Sequence, residues 1–139
     1  MLEARDLWCT YVAAGARVDA VAGVSVAVPA GCLILVRGAS GSGKTTLLNL
    51  LGGLQPATSG AVLFDGRDIS RLSSHRLTRW RRSSVALIFQ TLALLPELTA
   101  FENVDLGLRV AGVAPVLAAR RADRRVGPQV SVVSYTLEE

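Results

Sequence analysis

Apolar and polar positions first alternate along this chain and then gather into short blocks. Residues 2–11 read as a strand, followed by a polar turn at Ala14-Gly15-Ala16-Arg17. Val24, Val26 and Val28 alternate with Ser25 and Ala27, the period of two that marks a half-buried strand. Pro29-Ala30-Gly31 turns the chain into Cys32-Leu33-Ile34-Leu35-Val36, an unbroken apolar run expected to be a buried parallel strand. Residues 46–51 read as a helix, with Leu47, Leu48 and Leu51 on one face and Gly52-Gly53 as its stop. A loop of turn residues over 55–60 leads to a strand at 61–64, closed by Asp65-Gly66, a dipeptide suited to tight turns. Residues 73–82 read as a short basic helix with Leu77 and Trp80 on its apolar side, and 85–89 as a second buried strand ending at Gln90. Thr99-x-x-Glu102 has capping-box spacing ahead of a helix on which Phe101, Val104 and Leu108 share a face. An Arg-rich helix is expected over 115–126, stopped by Gly127-Pro128. Beyond it the character changes: Val133, Tyr135 and Leu137 alternate as in a strand.

Composition bounds this pattern. The chain has 139 residues, 50% of them hydrophobic, which suits one domain or part of one with a packed core. A net charge of +4 and a pI near 9.8 permit an anionic partner without arguing for one. Arg71, Arg76, Arg79, Arg81 and Arg82 have only Trp80 among them, and Arg120, Arg121, Arg124 and Arg125 have no aromatic at all. Both groups are expected to be solvated helix faces, and nucleic acid is not an expected partner. Cys9 and Cys32 lack metal-ligand spacing and are expected to be buried thiols in a reducing compartment. Charges within residues 1–6 leave no room for a signal peptide there. The longest uncharged stretch, 20–36, is broken by Gly23, Pro29 and Gly31 and reads as two strands, not a membrane span, so a cytoplasmic location is expected.

The chemistry lies between the apolar run and the first helix. Gly38-Ala39-Ser40-Gly41-Ser42-Gly43-Lys44-Thr45 satisfies the phosphate-loop pattern G-x-x-x-x-G-K-[ST], in the strand-to-helix setting that the mechanism needs. Glycines at 38, 41 and 43 let the backbone approach phosphates, and the helix N-terminus favours negative charge. Lys44, the only lysine in the chain, is placed to reach the β- and γ-phosphates, and the Thr45 hydroxyl to hold Mg²⁺. The expected ligand is a nucleoside triphosphate with its metal ion.

With these elements placed, the sequence resembles the ATP-binding domain of ABC transporters from its start to about residue 126. Residues 38–46 match the Walker A loop, residues 60–66 the hairpin after the first helix, and Ile88-Phe89-Gln90 the entry to the Q-loop. Leu94-Leu95-Pro96 and Phe101-Glu102-Asn103-Val104 match the family's stretch after the Q-loop. Within the family, Leu47-Leu48-Asn49-Leu50-Leu51-Gly52-Gly53 and Leu94-Leu95-Pro96-Glu97-Leu98-Thr99 are most similar to the lipoprotein-release and macrolide-export branch. The resemblance implies an α/β P-loop fold, truncated, with an antiparallel layer beside an incomplete parallel core. Residues 1–126 would be the N-terminal part of the domain and 127–139 an atypical tail. It implies that Tyr11 stacks on adenine, that Thr46 serves the α-phosphate, and that Gln90 touches Mg²⁺ beside the γ-phosphate. Gly38, Ser40, Gly41, Ser42, Gly43, Lys44 and Thr45 complete the expected site for Mg·ATP. Expected partners are a membrane permease, met through the Q-loop region, and a second ATP-binding subunit, at the cytoplasmic face of the plasma membrane.

The family's signature motif, Walker B strand and switch histidine have no match here. Asp65 is followed by Gly66 and fits the hairpin, and His75 lies in the basic helix. No catalytic residue is therefore assigned, and these 139 residues are expected to bind ATP without turning it over at a useful rate. The alternatives are a non-catalytic remnant or another P-loop enzyme, a small-molecule kinase or a DNA-repair ABC ATPase. A tyrosine platform reads no hydrogen-bond pattern, so GTP is expected to compete with ATP within about tenfold, and Tyr11→Phe to be nearly silent.

Overall fold

The computed structural model describes residues 1–13, 15–88 and 94–126. The chain divides after Val85 into two compact units. The first holds β1 (Leu2–Ala13), β2 (Ala16–Val28), α1 (Lys44–Leu51), β3 (Ser59–Phe64), β4 (Arg67–Asp68) and α2 (Ser74–Ser84). The second holds α3 (Ala100–Val110) and α4 (Pro115–Val126).

In the first unit the strands form one antiparallel sheet in the order β2-β1-β3-β4. Ala4, Leu7 and Cys9 of β1, Val21 of β2 and Val62 of β3 form its buried face, covered by Leu50 and Leu51 of α1. The β1–β2 hairpin is irregular in a specific way. Around Asp6 the pairing of β1 slips against both neighbours, and Asp6 has a φ of 44°. This is a bulge, one extra residue set into β1. Gly60 of β3 answers it: a Cβ there would overlap the Asp6 carbonyl, so only glycine lets the two backbones close. Two further slips fall in β2, one between the Leu7–Val24 and Cys9–Val21 pairs and one where Cys9 faces Val21 and Thr10 faces Asp19, the latter leaving Ala20 without a partner in the ladder.

The β3–β4 turn is the one expected from Asp65-Gly66, with positive φ at both residues, 48° and 76°. In α1 the buried stripe is Leu47, Leu50 and Leu51, and Leu48 is 49% exposed, so the expected face is corrected by one position. Helix α2 turns Leu77 and Trp80 to the core, and the Trp80 ring meets Phe64 edge-on with centroids 5.5 Å apart.

Two expected strands are not formed. Residues 32–36 and 85–88 lie outside any strand, and Leu33 and Ile88 are 97% and 89% exposed. A parallel strand depends on ladder partners and on cover over both faces, and among the described residues these runs have neither. The expected parallel core is thus represented by apolar segments alone, whereas the antiparallel layer is formed. Cys32 shares this fate: Cys9 is buried as expected, but Cys32 is exposed. The continuation of the second run at Phe89 and Gln90, and the tail over 127–139, lie outside the described residues.

The second unit is a helix pair. Fully buried Ala118 and Ala122 allow α4 to approach α3 closely. The α3 N-terminus forms the expected capping box. The Glu102 amide donates to Thr99 Oγ1, while Glu102 Oε2 accepts from the Thr99 amide and hydroxyl at 2.8 and 2.7 Å. Asn103 ties the preceding turn to the helix by donating to the carbonyls of Leu95, Leu98 and Thr99 and accepting from the Leu95 amide. These contacts account physically for the Glu102-Asn103 pair of this stretch.

Glu102 carries a pH signature. The Thr99 backbone N–H and then its hydroxyl hold the Glu102 carboxyl below the usual carboxylate range. A group whose pKa is lowered on folding adds stability above its unfolded value, and that contribution fades as pH falls through the folded one. Thermal unfolding midpoints measured between about pH 3 and 6, around the reference carboxylate pKa, should therefore fall less steeply toward acid in Glu102→Gln than in the parent chain. Parallel curves would mean that the carboxylate is not held by the cap.

Candidate functional site

The loop expected to bind phosphates closes on its own lysine. Lys44 Nζ donates to the carbonyls of Gly38 and Ala39 at 2.8 and 2.6 Å, and to Ser42 Oγ at 3.3 Å. All three ammonium protons are so directed. Gly38 packs closely in the same turn: a Cβ there would stand 2.6 Å from Ser42 Oγ, and the serine side chain would have to turn aside. The Ser42 amide donates to the Ala39 carbonyl, which draws the loop into a tight turn.

Helix α1 begins without a side-chain cap and without an acidic residue in its first turn. Its N-cap, Gly43, has a φ of 85° and lies against the β2 backbone, where a Cβ would overlap the Ala20 carbonyl. Ala20 is one of the residues that β2 leaves out of its ladder. A hairpin irregularity and a loop glycine thus fit together and seat the loop on the sheet. Among the described residues no hydrogen bond uses the amides of Gly41, Gly43, Lys44 or Thr45. The result is a run of N–H groups unpaired among the described residues, beside one ammonium at the positive end of a helix, an arrangement suited to an anion. Ser40, Gly41 and Thr45 are exposed along the loop, and Thr46 is half-buried.

Tyr11 stands near the end of β1, opposite Val18, two residues along β2 from Ala20. The residue is 45% exposed, and its hydroxyl meets the side-chain amide of Gln55. The hairpin therefore carries both the expected base platform and the seat of the loop. Gln90 lies outside the described residues. Of the excluded alternatives, Asp65 pairs with the ammonium of Met1 at 2.5 Å and His75 is exposed on α2 beside Arg79, so neither meets the loop. A cavity of about 500 Å³ in the first unit is lined by Leu50, Leu54, Asp68, Leu77 and Arg81 among others, and by no residue of 38–46. Gln55 and Ala20 have no signal in the linear sequence; each matters through a residue distant in the chain.

Comparison with known proteins identifies the family. The family model described as ABC transporter matches residues 21–136. The chain belongs to the ABC transporter ATP-binding family. An uncharacterized ABC transporter ATP-binding protein of Thermotoga maritima is 42% identical over 122 residues, covering 88% of this chain and 52% of that protein. The lipoprotein-releasing system ATP-binding protein LolD of Geobacter metallireducens is 42% identical over 127 residues, 91% of this chain and 56% of its own. Among solved structures, the ATP-binding cassette MJ0796, a dimer in a post-hydrolysis state bound to ADP and Pi, superimposes with a TM-score of 0.80 at 31% identity. That match covers 89% of this chain and 55% of MJ0796. The ABC chain thus spans about half the length of the relatives it matches, and its fold is a truncated form of theirs. No helix among the described residues is long and apolar enough to cross a membrane.

Proposed function

We propose that this chain is the nucleotide-cradling part of an ABC transporter ATP-binding subunit and binds Mg·ATP through residues 38–46. One observation carries the reading: the Lys44 ammonium is held inside its own loop, at the uncapped N-terminus of α1, with the neighbouring amides free among the described residues. In this reading the amides of Gly41, Gly43, Lys44 and Thr45 hold phosphate oxygens, with Ser40 and Ser42 along the loop and Thr46 at the α-phosphate. Tyr11 offers its exposed ring face to the base. The Thr45 hydroxyl is a hard oxygen donor and fits a Mg²⁺ ion whose other ligands are phosphate oxygens and water; Gln90 is the second proposed donor. That ion would supply charge neutralisation between the phosphates. The whole subunit would pair with a second copy and drive lipoprotein release or export through a permease met by the Q-loop region, on the cytoplasmic face of the membrane.

Calorimetric titration of the 139-residue chain with Mg·ATP tests the reading, with saturable one-site binding as the expected result. A folded chain that takes up no heat would sink it. That outcome would favour the second reading, a remnant that no longer binds nucleotide, for which the exposure of Leu33, Leu35 and Ile88 is the supporting observation.

A further inference from the structure

We infer that Gln55 is a positioning residue that sets the Tyr11 ring as the platform for the nucleotide base. The inference rests on the proposed role of Tyr11 and adds a residue to which no role has been given.

The Gln55 amide lies between two groups of β1. Its Oε1 is 3.1 Å from the Tyr11 hydroxyl and can accept from it, and Nε2 is 3.0 Å away and can donate. The same Nε2 is 3.1 Å from the buried sulfur of Cys9. The amide is thus anchored on the core side while it grips the phenol on the exposed side. Its backbone is fixed too. The Leu54 amide donates to the Asn49 carbonyl at 2.8 Å, which continues the end of α1. Beyond Gln55, the Thr58 amide donates to the Trp8 carbonyl, and Thr58 Oγ1 accepts from the Thr10 amide. Gln55 therefore stands on a short bridge from the end of α1 to β1, and α1 begins at Lys44.

A ring that stacks on a base must expose a face and keep one orientation. Exposure alone leaves Tyr11 free to change rotamer, and a bond at the hydroxyl removes that freedom without covering the face. Ordering one side chain before binding is worth about three- to tenfold in affinity. The hydroxyl thus has a task that the ring alone does not explain, so Tyr11→Phe, nearly silent on the sequence reading, is now expected to lose it.

The test compares Mg·ATP with inorganic tripolyphosphate, which offers phosphates and no base, by calorimetry on the whole chain. The variants are Gln55→Ala, Tyr11→Phe and the two combined. Each single change is expected to weaken Mg·ATP about three- to tenfold, and the double change no further than either single one. Tripolyphosphate should bind all four proteins equally, which also shows that the loop remains folded. Unchanged Mg·ATP affinity in Gln55→Ala overturns the inference. So do effects that multiply in the double variant, or tripolyphosphate affinity that falls in parallel. If the parent chain binds neither ligand, the phosphate-loop reading falls first and takes this one with it. If it binds both and only the cycle fails, Gln55 alone loses its role.

Discussion

Replacing Lys44 by alanine is expected to weaken Mg·ATP binding by about a hundredfold or more. Charge-assisted hydrogen bonds are worth roughly 1.5–3 kcal/mol each, and a factor of ten corresponds to about 1.4 kcal/mol. Two effects add. The substitution removes the only ammonium beside the expected phosphates, and it releases the Gly38 and Ala39 carbonyls that the lysine holds at 2.8 and 2.6 Å. Freed carbonyls turn toward an anionic ligand with the wrong sign. Lys44→Arg separates the two effects, because a planar guanidinium keeps the charge but does not fill the position of a compact ammonium. Titration of the parent and both variants decides the matter. Equal affinity for parent and alanine variant would remove the phosphate-loop assignment.

The second large effect is expected at Gly43. Its φ of 85° already disfavours a side chain, and a Cβ would overlap the Ala20 carbonyl. Strain of this kind costs about 1–3 kcal/mol, and a backbone clash adds a displacement of comparable cost. Gly43→Ala should therefore lift the loop from its seat, lower stability by at least about 2 kcal/mol and weaken Mg·ATP more than about tenfold. Gly41→Ala is the control: its φ is 79°, but nothing lies within 4 Å of the added atom. It should show the strain without the clash. Similar unfolding midpoints for the two variants would show that the contact with Ala20 does not hold the loop.

Features carried by adjacent residues are legible in the sequence. The Asp65-Gly66 turn and the Thr99–Glu102 cap each depend on a few neighbouring residues, and both form as expected. The loop at 38–45 is of the same local kind, and it gathers around Lys44 at the start of α1. The apolar runs at 32–36 and 85–88 are legible only as demand for burial, because such a run does not say what will cover it. The α1 stripe differs from its expected face by one position because Leu47, Leu48, Leu50 and Leu51 offer two overlapping faces, and the sheet selects between them. Tyr11 is legible through family resemblance, but its hydroxyl partner is 44 residues away and nothing local marks it. The same holds for the fit of Gly43 on Ala20, which needs a slip in hairpin pairing that no sequence pattern announces.

The extra residue at Asp6 inverts the phase of everything after it in β1. Side chains of a plain strand alternate, so a strand that buries Ala4 would next bury positions 6, 8 and 10. Here the buried residues are Ala4, Leu7 and Cys9. Two further steps along that shifted alternation is Tyr11, on the same side as the Cys9 sulfur that Gln55 reaches. Drawing Asp6 into the ladder as an ordinary paired residue would change no amino acid. It would nonetheless turn Leu7 outward and swing the tyrosine to the opposite surface, whereas deleting Asp6 together with its bulge would restore plain alternation and leave both on their present side. Strand β1 is in this sense keyed like a ratchet: its parity is set by one inserted tooth, and a further residue inserted between Leu7 and Tyr11 without a bulge of its own would reverse it.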